Sequence, residues 1–158
     1  MTDINLFARQ QAEAAAATLW ALGSAPFPLE NGALVQDHIR HLVTDTAISF
    51  AIHARRLLDN KTSNRFSSIS LDSPFWDWEP AQGLIKTTDF REALNRIVHA
   101  TTFEVGFERL PEAASKIDGG AVGVIYLKAR TDRYPEALID VFSLASCFFA
   151  RVLPVLSP

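Results

Sequence analysis

The sequence predicts an α+β domain dominated by four helices, with one antiparallel β-hairpin between the third and the fourth helix. Three observations support this fold class. Apolar residues recur every 3.6 positions through residues 33–59, the period changes to two at Phe103, and a nearly continuous apolar run follows Pro135. A chain of 158 residues with 48% hydrophobic composition can bury about two thirds of its unfolded surface. We therefore expect residues 1–158 to form a single domain.

The first two helices are predicted from composition and periodicity. Residues 3–22 are rich in Ala and Gln and contain no Pro or Gly, with Thr2 as a candidate N-cap and Gly23 as a candidate stop. The second helix is predicted from Ala33 to Asp59. Its apolar stripe consists of Val35, Ile39, Leu42, Val43, Thr46, Phe50, His53 and Leu57.

Residues 60–87 form an aromatic-rich loop without helical periodicity. Its large apolar side chains are Phe66, Ile69, Leu71, Phe75, Trp76 and Trp78. One interpretation is that these side chains close an open side of the helical core. The other is an exposed surface that binds a partner or ligand, because exposed aromatic rings also stack on nucleic-acid bases. Phe75, Trp76 and Trp78 are the candidates for such a surface.

The third helix is predicted over residues 88–100, with Thr88 as its cap, and is followed by the hairpin. Phe103, Val105 and Phe107 fall on one face of the first strand, as in a half-buried β-strand. The segment "PEAASKIDGG" predicts a turn, and "AVGVIYLKAR" predicts the second strand. The two strands are expected to pair antiparallel.

The fourth helix is predicted to open at Pro135 and to end at Pro154. Its only polar edge consists of Glu136, Asp140, Ser143 and Arg151. A helix that is apolar nearly all round is either central in the fold or buried at a subunit interface. An isolated hairpin is also marginally stable by itself. Together these features predict a homodimer.

The polar face of the third helix is the candidate catalytic site. At 100° per residue, Arg91, Asn95, Arg96 and His99 share one side of the helix with Glu92. Arginines can hold a phosphate, and a neutral histidine can accept a proton from a 2′-hydroxyl. This chemistry would be metal-independent cleavage of RNA. The alternative interpretation is an ordinary solvated helix face.

Other chemistry finds little support in the sequence. His38 and His41 lack further ligands at helical spacing, so we expect no metal site, and His53 is interpreted as a core histidine. Cys147 is the only cysteine, which excludes a disulfide framework and a cysteine-based zinc site. No glycine-rich phosphate loop or nucleophile elbow is present. No cofactor is predicted.

The charge pattern and the apolar segments predict a soluble, cytoplasmic protein. The net charge is −3, so any contact with nucleic acid requires a local basic patch. The alanine-rich run near the N-terminus is preceded or interrupted by Asp3 and Glu13, which is untypical of a signal peptide. The C-terminal apolar stretch is interrupted by Asp140, Arg151 and Pro154, so no membrane span is expected.

The segment "REALNRIVHA" resembles helices of the HEPN group, which are small helical proteins of prokaryotic toxin-antitoxin and defence systems. The resemblance covers about ten residues and implies a helical, dimerising module that cuts RNA when it is active. In active members an arginine precedes a histidine at a set spacing. Arg91 lies farther from His99 than that spacing, and Arg96 lies nearer.

These observations favour a non-enzymatic interaction or accessory protein of bacterial or phage origin. We expect it to be dimeric, HEPN-like and able to bind a protein partner. The alternative is an RNA-binding or RNA-cleaving module that uses the polar face of the third helix.

Overall fold

The computed structural model describes residues 3–30, 32–60 and 68–156. These residues have the predicted α+β class and form four helices, counting the interrupted last helix as one, and a five-stranded mixed sheet. The elements in chain order are α1 (Ile4–Ser24), β1 (Pro26–Pro28), α2 (Gly32–Asp59), β2 (Ile85–Lys86), α3 (Phe90–Val98), β3 (Thr102–Arg109), β4 (Ala121–Arg130), β5 (Ala137–Asp140) and α4 (Val141–Cys147).

Helix α1 begins and ends differently from the prediction. The carboxylate of Asp3 accepts hydrogen bonds from the N–H groups of Asn5 and Leu6 and caps the helix, whereas Thr2 lies outside the described residues. Gly23 does not stop the helix. It is buried where α1 crosses α4, and a Cβ there would lie 3.0 Å from the backbone nitrogen of Phe142. The glycine therefore permits close approach of the two helices.

Helix α2 has nearly the predicted bounds, but small residues make much of its contact. Val35 and Leu42, which belong to the predicted stripe, are exposed. The buried residues are Val43, Ala47, Phe50, Ala51, Ala54, Leu57 and Leu58. The three alanines let α2 pack closely against its neighbours, of which α1 makes the most extensive contact.

Strand β4 is the centre of the sheet. β3 pairs antiparallel along one of its edges, which confirms the predicted hairpin. The other edge carries β1 at residues 121–123 and β5 at residues 126–129, and β2 joins β5 in parallel. The prediction of a single hairpin between two helices was therefore wrong, because the hairpin is part of a larger mixed sheet.

A β-bulge in the hairpin places two consecutive residues of β4 on the same face of the sheet. The register shifts between Gly106 and Phe107, leaving Ile125 of β4 without a partner on β3. Ile125 and Tyr126 consequently both contribute to the same outer face. The Tyr126 ring lies against Gly106, where a Cβ would overlap the ring.

The fourth helix does not open at Pro135. Residues 137–140 form β5, and α4 starts at Val141, where the Asp140 carboxylate accepts a hydrogen bond of 2.7 Å from the Ser143 N–H. Pro154 does not end the helix either. A π-helical turn at Phe148–Val152 leads into a last α-turn at Leu153–Leu156. The wider turn accommodates a proline, which lacks an N–H and crowds the preceding turn.

The sheet has a hydrophobic core on each face. The main core contains fully buried side chains of α1, α2, α3 and α4, together with Leu127 and Ile139 of the sheet. Helix α4 is central within this core, which accounts for its apolar surface within one chain. On the outer face, Trp78 packs with Ile125 and Leu138. The aromatic-rich segment thus contributes to both cores, because Leu71 belongs to the main core and Ile69 packs against it, whereas Trp76 and Trp78 lie on the outer face. Phe66 lies outside the described residues.

Candidate functional site

Helix α3 is amphipathic as predicted, although Asp89 rather than Thr88 caps it. The Asp89 carboxylate accepts a hydrogen bond of 2.8 Å from the Glu92 N–H. Phe90, Ala93, Leu94 and Ile97 are buried. The opposite side carries Arg91, Asn95 and Arg96, which are half-buried, and Glu92, which is exposed. The exposed His99 follows the last helical residue as the C-cap.

A chain of polar contacts joins α3 to the end of α2. Arg91 Nη1 lies 3.1 Å from Asp59 Oδ1, and Arg55 Nε lies 3.5 Å from Asp59 Oδ2. Arg55 Nη1 in turn lies 3.2 Å from His99 Nε2. Because a guanidinium can only donate, His99 Nε2 must be the acceptor and the ring proton must sit on Nδ1. The lone pair that a general base would use at Nε2 is therefore occupied.

Arg96 fastens α3 to the connection between β4 and β5. Its guanidinium contacts Glu92 Oε1 at 2.8 Å and donates to the Pro135 carbonyl oxygen at 2.7 Å. The same group lies 5.6 Å from the centre of the Tyr134 ring. The side chain is only 11% exposed, so these contacts are partly screened from water. Arg96 thus positions the connection as well as the helix face.

Two adjoining cavities flank Tyr134. One has a volume of about 310 Å³ and is lined by His99, Thr131, Asp132, Arg133 and Tyr134. The other has a volume of about 290 Å³ and is lined by Asp89, Arg91, Glu92, Asn95, Arg96 and Tyr134. The predicted Arg91, Asn95 and Arg96 therefore share one cavity, while His99 lines the neighbouring one.

Arg133 and Tyr134 also line the candidate site, although no sequence pattern predicts them there. They belong to the short segment "TDRY" between two strands, and only the return of the chain beside α3 places them near His99. An exposed aromatic residue next to an arginine in such a loop was the available signal.

The aromatic candidates of the loop have different environments. Trp78 is buried, donates a hydrogen bond of 2.5 Å to Asp140 Oδ2, and has Lys86 Nζ 4.3 Å from its ring centre. Trp76 is half-buried, and its buried Nε1 has no hydrogen-bond partner among the described residues. Phe75 is 48% exposed and packs against Phe142 at 5.1 Å between ring centres. Phe75 is therefore the most accessible of the three.

Strand β3 presents an open edge. Among the described residues it pairs only with β4, and Thr102, Glu104, Glu108 and Arg109 are exposed. The Leu110 N–H donates to the Ala121 carbonyl oxygen at 2.9 Å. Since N–H directions alternate along a strand, the N–H of Arg109 points away from β4. The outer edge of β3 can therefore accept another strand.

The other reactive groups of the described residues have structural surroundings. In the described part of the chain, no three His, Cys, Asp or Glu side chains are grouped to hold a metal ion. Burial raises the pKa of Cys147 to about 11, so its thiol is not a ready nucleophile. His53 is half-buried, and its ring packs edge-on against Phe7 at 5.7 Å.

Comparisons of the chain with protein-family models, with curated proteins and with solved structures found no match. Within the described residues, no helix is long and apolar enough to cross a membrane.

Proposed function

We propose that this protein is a non-enzymatic interaction or accessory protein that forms a homodimer through strand β3. The observation that carries the proposal is the open eight-residue edge of β3. An unpaired edge exposes a row of N–H and C=O groups that a partner strand can satisfy. A twofold axis would place β3 antiparallel to its own copy and close the assembly as a dimer.

The side chains of β3 limit how two copies can pair. Glu104 and Glu108 both lie on the outer face of the sheet and are exposed. A register that placed these carboxylates opposite each other would be unfavourable, because facing like charges destabilise a strand pair. The proposed dimer therefore uses a register that keeps them apart.

The contacts around α3 support a non-enzymatic role. Arg91 and Arg96 are both in ion pairs, and Arg55 occupies His99 Nε2. These side chains hold α3 against α2 and the β4–β5 connection. They therefore have a structural role that accounts for their proximity without catalysis.

The resemblance of "REALNRIVHA" to HEPN helices belongs to the same proposal. It adds the expectation of a dimeric, cytoplasmic module of bacterial or phage origin that binds a protein partner in a toxin-antitoxin or defence system.

The dimer is tested by light scattering on purified protein at micromolar concentration. We expect wild type at twice the 17.5 kDa of one chain. Arg109→Pro should be monomeric, because proline lacks the outward-pointing N–H that a second strand requires. Arg109→Ala, the matched control, keeps the N–H and should remain dimeric.

A second proline variant separates edge pairing from folding. The Glu108 N–H points towards β4 by the same alternation, so Glu108→Pro should remove a ladder hydrogen bond and lower the thermal melting temperature. Arg109→Pro should melt close to Arg109→Ala at a concentration where both are monomeric. Wild type that is monomeric throughout, or Arg109→Pro that remains dimeric, would contradict the proposed interface.

The second candidate function is an RNA-binding or RNA-cleaving module. It is favoured by the cavity that collects Arg91, Asn95 and Arg96 next to the one that contains His99. In this function, the arginines would hold a phosphate, and His99 would act as a base once Arg55 moved away from Nε2.

His99→Ala tests the catalytic form of this second function. RNA cleavage in the presence of a metal chelator should fall by about a hundredfold or more, as is typical when a general base is lost. His41→Ala is the control, because His41 is an exposed histidine of α2. Intact RNA after incubation with wild-type protein would rule out the catalytic form while leaving the dimer proposal unaffected.

A further inference from the structure

We propose that Tyr134 and the cavity it shares with His99 and Arg133 bind a small ligand that combines an aromatic base with a phosphate, as a mononucleotide does. This inference concerns ligand binding alone. It requires neither the β3 dimer nor catalysis by His99.

The Tyr134 ring is suited to stacking. It is 57% exposed, although it belongs to a connection that is held in place on both sides. The Tyr134 N–H donates to Thr131 Oγ1 at 3.0 Å, and Arg96 holds the following residue, Pro135, by its carbonyl oxygen. The guanidinium of Arg96 also lies over the ring. A ring that is fixed in this way loses little conformational entropy when a planar base stacks on it.

The charges in the cavity point to a phosphate. Arg133 is exposed and forms no ion pair with any described residue, unlike Arg91 and Arg96. It lines the cavity together with His99. The tautomer that Arg55 imposes leaves a proton on His99 Nδ1, so the imidazole also has an N–H to donate. A guanidinium and an imidazole N–H are common donors to phosphate oxygens.

Asp132 favours a ligand with hydroxyl groups over a bare anion. Asp132 lines the same cavity, and its carboxylate would repel a phosphate placed beside it. It could instead accept hydrogen bonds from the hydroxyls of a ribose. The cavity volume of about 310 Å³ is at the small end of ligand sites, which suits a mononucleotide.

Isothermal titration calorimetry tests the site on the full-length protein. The probes are AMP, adenosine, inorganic phosphate and a short oligoadenylate. AMP should bind at least about tenfold more tightly than adenosine or phosphate, because each of these lacks one of the two recognised groups. The oligoadenylate shows whether the natural ligand is RNA or a free nucleotide. Tighter binding of the strand than of AMP indicates RNA as the ligand, and weaker binding indicates a free nucleotide.

Substitutions assign the binding to these side chains. Tyr134→Ala should weaken AMP binding by about tenfold, whereas Tyr134→Phe, which keeps the ring, should bind nearly as wild type does. Arg133→Gln should also weaken it by about tenfold. Arg130→Gln is the matched control for loss of positive charge, because Arg130 is exposed but does not line this cavity.

Two results would overturn the inference. The first is no saturable binding of AMP or oligoadenylate at millimolar concentration to protein whose thermal melting is normal. The second is AMP binding that does not depend on these side chains. It would be seen if Tyr134→Ala left the affinity for AMP unchanged, or if Arg130→Gln lowered it as strongly as Arg133→Gln does.

Discussion

At the scale of single residues, Asp140 links three parts of the structure. It is the last residue of β5 and is only 3% exposed. Oδ1 accepts from the Ser143 N–H at the start of α4, and Oδ2 accepts from Trp78 Nε1 in the aromatic segment. A buried carboxylate is tolerated only when such hydrogen bonds satisfy it. The carboxylate therefore fastens the aromatic segment to both the sheet and the helix.

Trp78→Phe tests this link, because phenylalanine keeps most of the ring but removes the N–H. We expect a loss of about 2 kcal/mol in the free energy of unfolding, since hydrogen bonds to charged groups contribute about 1.5–3 kcal/mol. Urea denaturation monitored by circular dichroism measures it. Trp20→Phe is the control, because Trp20 is 45% exposed. If Trp78→Phe and Trp20→Phe lower the free energy of unfolding by the same amount, the hydrogen bond to Asp140 does not contribute the stability that we expect.

At the scale of elements, the contact between α1 and α4 depends on the absence of a side chain at position 23. At an exposed position inside a helix, Gly→Ala stabilises the protein by about 1 kcal/mol, because alanine has the higher helix propensity. At Gly23 the new Cβ would meet backbone atoms of Phe142, which do not move as a flexible side chain does. The steric cost of the added methyl group should therefore exceed the gain from the higher helix propensity of alanine.

Gly23→Ala is expected to lower the free energy of unfolding by about 1–3 kcal/mol. Ala21→Gly, on an exposed position of the same helix, measures propensity alone and should cost about 1 kcal/mol. Urea denaturation of both variants makes the comparison. A Gly23→Ala protein more stable than wild type would mean that the two helices are not in close contact.

The elements also show what could be predicted from sequence. Apolar residues recur at helical spacing over the whole of α2, so its bounds could be predicted. The alternation of apolar and polar residues from Phe103 in the same way predicted β3. Residues 137–140 were wrongly assigned to a helix because a short apolar run fits either structure, and pairing with β4 decides it. Strands as short as β1 and β2 depend on their partners and carry no periodicity.

The candidate site, like the fold, was only partly predictable from the sequence. Helical spacing was sufficient to place Arg91, Asn95 and Arg96 together. It could not reveal Arg133 and Tyr134, since their position beside α3 results from chain return and from the hydrogen bond between Arg96 and the Pro135 carbonyl oxygen.

At the scale of the whole molecule, the sheet formed by the described residues has a hydrophobic core on each face and a long edge without a strand partner. The helices cover one face of the sheet, and Trp78 and its neighbours cover part of the other. The apolar surface of α4 is therefore buried within the chain. Strand β4 has strand partners on both of its edges. The outer edge of β3 is the longest strand edge that lacks a partner in the described structure. The proposed dimer follows from this edge.

Hydrogen–deuterium exchange at two protein concentrations, one below and one above dimerisation, tests this edge most directly. We expect the amide exchange of residues 102–109 to slow at the higher concentration, while β4 and β5 exchange at unchanged rates. Exchange of β3 that is independent of concentration, or slowing confined to another surface, would contradict it.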